Sequence, residues 1–260
     1  MIILKLGGSL LTDKRRKFSF RSEVMRRVAQ EIKESRARLV VVHGGGSFGH
    51  PLAVEYKLAE GIVSEEQLRG VALTRAAMAR FNLLVVEALI EAGVNAIGMQ
   101  TSAIAECADT RVKRINLSTV RGFLELGLTP VLYGDVVLDS IRGVCILSGD
   151  QLVAKLAEEF KPERIVLAAD VDGVFDRNPE EPGAKLIPEI NPENYTKVLE
   201  AVASGNDATG GMRGKLSELI ALARLGYDSI IINALTEGRL KKALLGEPVK
   251  CTVIKGGNYP

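Results

Sequence analysis

The chain reads as an α/β protein, an open and mostly parallel sheet sandwiched between helices, with a β-hairpin beside one of its sites. Three observations predict this class. Short apolar runs such as Leu39-Val40-Val41-Val42 alternate from end to end with longer stretches whose apolar residues recur at helical spacing. The runs are apolar at consecutive positions, as strands covered on both faces must be. Glycine-bearing turns, among them Gly7-Gly8, Gly44-Gly45-Gly46 and Gly134, follow several of them, at the strand ends where open α/β sheets bind ligands.

Residues 2–6 are the first expected strand. Lys5 is its anomaly, because a lysine in a run apolar on both faces is costly unless it meets an anion or lies at an edge. Two readings follow: an edge strand with Lys5 in water, or a lysine directed at an anion held by the N–H groups of Gly7, Gly8 and Ser9. Residues 12–20 form a basic loop with Lys14, Arg15, Arg16 and Lys17. Ser22 is placed to cap a helix running to Lys33 or Glu34, and residues 39–43 return as the second strand of a βαβ unit. Helical periodicity then runs from Glu65 to Glu91, with Gly93 as stop signal. Residues 94–99 read as a strand, 117–126 as a helix ended by Gly127, and 130–133 as a strand. Residues 136–138 and 144–147 make a hairpin, after which Ser148-Gly149-Asp150 leads into a helix over 151–160. Residues 165–169 form a strand with Asp170, Asp172 and Gly173 at its carboxyl end. Prolines and acidic residues over 175–194 signal an irregular excursion. Thr209 to Lys215 opens a helix to about residue 225, followed by a strand, a short helix over 239–245 and a last strand over 251–254. One domain is expected, with an acceptor-binding half (1–160) and a nucleotide-binding half (161–260) on one continuous sheet.

The totals exclude several functions. With 47% apolar and 25% charged residues and a net charge of +2, the composition is that of an ordinary globular domain with no general attraction to nucleic acid or membranes. The three cysteines, Cys107, Cys145 and Cys251, form no C-x-x-C pair, and two histidines, His43 and His50, are too few for a multi-histidine metal centre. No apolar run is long enough to span a bilayer, and Met1 runs into the first strand without a leader, so a cytoplasmic protein is expected.

The strand over 39–43 passes into Gly44-Gly45-Gly46-Ser47-Phe48-Gly49-His50-Pro51. Bare glycine N–H groups, with a helix N-terminus behind them, make an anion site suited to phosphate. Gly44, Gly46 and Gly49 fit the G-x-G-x-x-G spacing, but the second strand that the dinucleotide fingerprint requires is missing between Leu52 and Leu68. A Walker A loop ending in Gly214-Lys215 would need glycine at position 209, where Thr209 stands.

With Lys5-Leu6-Gly7-Gly8-Ser9, the glycine turn at 44–49, Ser148-Gly149-Asp150, Asp170-Val171-Asp172-Gly173-Val174 and Thr209-Gly210-Gly211-Met212 to Lys215 in this order, the chain resembles the amino acid kinase family. Gly46 to Pro51, Tyr133-Gly134-Asp135-Val136 and Ala243 to Glu247 resemble the branch of that family that acts on isopentenyl phosphate. The resemblance implies transfer of the ATP γ-phosphate to that acceptor, with ATP and Mg²⁺ required and a homodimer expected. It implies an ATP-binding set of Lys5, Leu6, Gly7, Gly8, Ser9, Gly46, Asp170, Gly211 and Lys215. Gly45, His50 and Gly149 are implied to face the acceptor phosphate. Lys5, Lys14, His50 and Asp150 are the implied catalytic group, and no protein metal ligand is expected. Asp150 has a second reading as the cap of the helix over 151–160, and His43 is read as structural. Val71, Met78, Val136 and Ile146 are candidates to line an apolar slot for the acceptor tail, with plain core packing as the alternative for each. A sibling kinase, such as one acting on fosfomycin, or a nucleotide-binding sensor without catalysis would fit the same motifs.

Overall fold

The computed structural model describes residues 1–13, 15–179, 181–204 and 211–259; side chains at 203, 204, 211–213 and 215 lie outside the described set. The elements in order are β1 (Ile2–Leu6), α1 (Gly8–Leu11), α2 (Ser22–Ser35), β2 (Leu39–His43), α3 (Gly46–Glu55) and α4 (Glu65–Glu91). There follow β3 (Ala96–Gly98), α5 (Thr101–Ile104), β4 (Ala105–Ala108), β5 (Arg111–Ile115), α6 (Ser118–Glu125) and β6 (Thr129–Tyr133). The hairpin strands β7 (Asp135–Asp139) and β8 (Gly143–Leu147) precede α7 (Gly149–Phe160) and β9 (Arg164–Ala169). The chain continues with β10 (Glu189–Ile190), α8 (Tyr195–Ser204), α9 (Gly211–Arg224), β11 (Ser229–Asn233), α10 (Arg239–Leu245) and β12 (Cys251–Ile254).

The main sheet has the order β10-β12-β11-β9-β1-β2-β6-β3, and of its pairings only β11 with β12 is antiparallel among the described residues. The period of two along each strand divides the core. Ile2, Leu4, Leu6, Val41 and Val166 pack with α2, α4 and α10 on one face, while Ile3, Val40, Val42, Ile165 and Leu167 pack with α6, α7 and α9 on the other. The predicted sandwich is therefore the observed one. No helix among the described residues is long and apolar enough to cross a membrane.

Lys5 is not at an edge. It lies in β1 between β2 and β9 and is 6% exposed, so its reading as a solvated lysine is overturned. The sheet is also not continuous through the hairpin: β7 and β8 join β4 and β5 in a separate four-stranded sheet, order β5-β4-β7-β8. Two smaller corrections concern helix starts. Ser22 is the first helical residue of α2 rather than its cap, which is Arg21. The cap of α7 is Ser148, whose hydroxyl accepts from Gln151 N at 3.2 Å while the Gln151 amide accepts from Ser148 N, so Asp150 is released from capping.

Candidate functional site

β1 lies between β2 and β9, so the turns that leave their carboxyl ends are brought side by side. Gly7 N–H donates to Ala168 O at 2.8 Å, which ties the first turn to the end of β9. The second turn comes within backbone contact of the first: a Cβ on Gly8 would lie 2.4 Å from Gly46 N and 2.7 Å from Gly46 Cα. Gly46 has φ +48°, a conformation side chains rarely adopt, and a Cβ there would strike Thr12. Thr12 closes the arrangement, its buried hydroxyl donating to Gly8 O at 2.7 Å and accepting from Ser47 N at 3.0 Å.

Pro51 lies inside α3 and has no N–H to give to Ser47 O. That carbonyl accepts from Phe18 N at 3.1 Å instead, and Ser19 N donates to the Ser47 hydroxyl at 3.0 Å, so the loop before α2 is fastened to α3. Lys14, in that loop, lies outside the described residues, as do Thr209 and Gly210 and the side chain of Lys215 further on. Gly211 opens α9.

The two turns, the end of β9 and the start of α7 border one cleft of about 490 Å³. Of the predicted site residues, it brings together Lys5, Gly7, Gly8, Ser9, Gly45, Gly46, His50, Gly149, Asp150 and Asp170. Leu6 is not on its wall but is buried beneath it in the core, leaving its backbone as the contribution. The Lys5 ammonium pairs with the Asp150 carboxylate in the first turn of α7. Its stem passes over Gly149, where a Cβ would lie 3.4 Å from Lys5 Cε. The Ser9 hydroxyl donates to Asp170 at 2.8 Å, which joins the first turn to the end of β9.

Beyond the turns the cleft is lined by Ala53, Met78, Val136 and Ile146, while Val71 packs away from it in a satellite cluster beneath the hairpin. The slot is not wholly apolar: the buried Thr74 hydroxyl on its wall has no hydrogen-bond partner among the described residues. Asp135, also on the wall, is buried, and burial pushes its pKa up against the N–H groups of Ser102 and Val136 that it accepts.

The two histidines divide cleanly. His43 is wholly buried, and burial pushes its pKa down to about 4, so it is neutral and serves structure, as expected. His50, on the exposed side of α3, lines the cleft. Thr12 and Thr74 were missed by sequence reasoning. A threonine ending an apolar pair just after a glycine turn was the available signal for Thr12; Thr74 sits inside a long helical pattern that hides it.

Residues 1–233 match the sequence profile of the amino acid kinase family. The isopentenyl phosphate kinase of Methanothermobacter thermautotrophicus is 43% identical over 98% of this chain and 99% of its own length. That of Methanocaldococcus jannaschii is 34% identical over 95% of this chain and 96% of its own. A solved structure of isopentenyl phosphate kinase superposes with a TM-score of 0.86 at 41% identity, covering 98% of this chain and 100% of the other. With the profile spanning most of the chain and such relatives spanning nearly all of it, the chain belongs to the amino acid kinase family.

Proposed function

We propose that the chain transfers the γ-phosphoryl group of ATP to isopentenyl phosphate, giving isopentenyl diphosphate and ADP. The observation that carries this is one cleft in which two glycine turns in backbone contact face His50 on one side and a largely apolar slot beyond. The relatives named above, all isopentenyl phosphate kinases, support the choice of acceptor.

The attacking oxygen belongs to a phosphate monoester, largely ionised near neutral pH, so no general base is needed. What remains is to position two phosphates in line and to meet the charge spread over the transferring oxygens. Lys5 and the amides of Gly7, Gly8, Ser9 and Gly46 take the β- and γ-phosphates. Asp150 holds the Lys5 ammonium at the start of α7, so the cation is in place before substrates arrive. Gly45, Gly149 and His50 take the acceptor phosphate, and His50 donates a hydrogen bond to it. Asp170, Gly211 and Lys215 face the nucleotide, and Lys14 stabilises the transferring group. Among the described residues no three His, Cys, Asp or Glu side chains converge as a metal cage. Mg²⁺ would be held on the phosphates of ATP and by water, which it leaves reluctantly, and would there offset phosphate charge. We read the working unit as a cytoplasmic homodimer, which light scattering on the purified chain tests as to oligomeric state.

The decisive experiment is acceptor-dependent ADP formation from Mg-ATP with isopentenyl phosphate, fosfomycin, uridylate and N-acetylglutamate in one panel. Preference for isopentenyl phosphate is expected. Activity on another acceptor alone would discard the isoprenoid reading and keep phosphoryl transfer.

A further inference from the structure

His43 is a buried histidine that the transfer step does not use. It ends β2, stacks on Tyr133 with ring centroids 5.4 Å apart and meets Phe81 edge-on at 4.6 Å. Both its nitrogens have partners: Nδ1 lies 3.0 Å from Gly44 O, and Nε2 lies 3.2 Å from Asn82 Nδ2. These contacts locate the protons. The Gly44 carbonyl can only accept, so Nδ1 carries hydrogen. Asn82 Nδ2 also lies 3.3 Å from Val131 O, a second obligate acceptor, so that atom is the amide nitrogen and Nε2 accepts from it. Gly98 leaves room for this side chain, since a Cβ there would lie 2.5 Å from Asn82 Oδ1.

We infer that Asn82 and His43 are positioning residues for the transfer, a hydrogen-bonded relay through which α4 fixes the orientation of the Gly44-Gly45-Gly46 turn. A run of glycines leaves its peptide planes free to rotate. Holding Gly44 O on His43 removes that freedom for the peptide joining Gly44 to Gly45. Because a trans peptide is planar, the Gly45 N–H is then directed the opposite way from the held carbonyl. Thr74 and Met78, on the slot wall, precede Asn82 by eight and four positions on the same helix, so slot and relay share one helix face. The relay's part in the transfer rests on the reading that the turn holds the reacting phosphates.

The test uses the full chain with Asn82→Leu and Asn82→Asp, assayed by ADP formation on isopentenyl phosphate. Asn82→Leu removes the donor, and kcat per folded molecule, with folded fraction from circular dichroism, is expected to fall about tenfold, the scale of a small misplacement. ATP affinity measured by binding alone should fall by less than kcat does, because of the ATP-facing groups only Gly46 lies in the loosened turn, while those of the first turn and of the end of β9 are untouched. Asn82→Asp gives a different signature. A carboxylate can only accept, so a neutral ring shifts its proton to Nε2 and turns a lone pair on Gly44 O; a protonated ring restores both bonds. Activity relative to the unmodified chain at the same pH should therefore rise severalfold as pH falls from 8.5 to 6. The titratable group stacked on the ring is the Tyr133 phenol, on which Asp135 and Arg75 act in turn; Lys5, paired with Val42, lies with Asp150 on the opposite face of the sheet. All are present in both proteins and cancel in the ratio. An Asn82→Leu protein with unchanged kcat per folded molecule, or a flat ratio for Asn82→Asp, overturns the relay. Should Asn82→Asp not fold, His43→Phe keeps the ring stack and loses both nitrogens. It should match Asn82→Leu in kcat, with no further loss in the double variant, and additive losses would overturn the relay equally. If the unmodified chain is silent on isopentenyl phosphate, the substrate reading has failed, and the same variants are compared on whichever acceptor in the panel is active.

Discussion

Gly8→Ala tests the contact on which the whole site depends. The added Cβ would lie 2.4 Å from Gly46 N and 2.7 Å from Gly46 Cα, and real Cβ contacts essentially never fall below 3.0 Å. Both obstructing atoms are backbone, so no side chain can swing aside. Restoring ordinary contact means parting the two turns by about 1 Å, and misplacement on that scale costs about 100-fold in rate. The same movement pulls Thr12 from Gly8 O and Ser47 N. Two hydrogen bonds at about 1 kcal/mol each amount to a Tm lower by roughly 4–8 °C in a domain of this size. The assay is kcat at saturating ATP and isopentenyl phosphate, with scanning calorimetry for Tm. Gly122→Ala is the comparison: it lies in α6, its added Cβ meets nothing within 4 Å, and it should stabilise by about 0.5–1 kcal/mol with kcat unchanged. A Gly8→Ala enzyme within threefold of normal kcat and at normal Tm would refute the claim that the two turns together hold the reacting groups.

Three further perturbations address the rest of the cleft and its cover. His50→Ala should lower kcat by about 100-fold, the scale of one lost transition-state donor; near-normal kinetics would take His50 out of the mechanism. Met78→Ala should cost about 2–5 kcal/mol as a buried truncation and raise kcat/KM for a ten-carbon prenyl monophosphate relative to isopentenyl phosphate; an unchanged ratio would make Met78 core alone. Asp139 accepts backbone N–H groups from Asp109, Thr110, Ile141 and Arg142. Burial pushes its pKa up, and the N–H groups together overturn that and hold it well below the carboxylate range. A depressed folded pKa means its stabilisation is complete above the ordinary aspartate pKa of about 4 and is lost as pH falls below it. Unfolding by urea from pH 5 to 3 should show that slope, and Asp139→Asn should be less stable at pH 5 and flatten it.

How much was legible depended on whether a residue's signal was carried by its neighbours in sequence. Strands such as residues 39–43 are β-branched throughout and announced themselves, as did the glycine turns after them. β4 and β5 did not, because Arg111, Lys113 and Arg114 face water, the last two pairing with Glu106 and the first with Glu218 of α9, leaving only Ala105 and Cys107 to show a buried alternation. Lys5 was recognised as costly, but whether it sat at an edge or in the middle depended on β9, whose place in the sheet no local pattern fixes. Asp150 was read as either cap or orienting carboxylate; Ser148, with its reciprocal partner Gln151, occupies the capping role and leaves Asp150 to its pair with Lys5. Asn82 gave no signal at all, since one polar residue in a long amphipathic helix looks like part of its wet face.

The central position of β1 has a consequence for how the chain is made. Ile3 pairs with Val40 on one side and with Ile165 on the other, so one edge of β1 waits for about 160 residues to be synthesised, roughly 10–30 s at ribosomal rates. Through that interval a short apolar strand with an open edge is exposed to pairing with other nascent chains. Lys5 places a charge inside it, the kind of gatekeeper that discourages such association. The residue proposed to meet phosphate in the finished enzyme would thus also protect the chain before there is an enzyme.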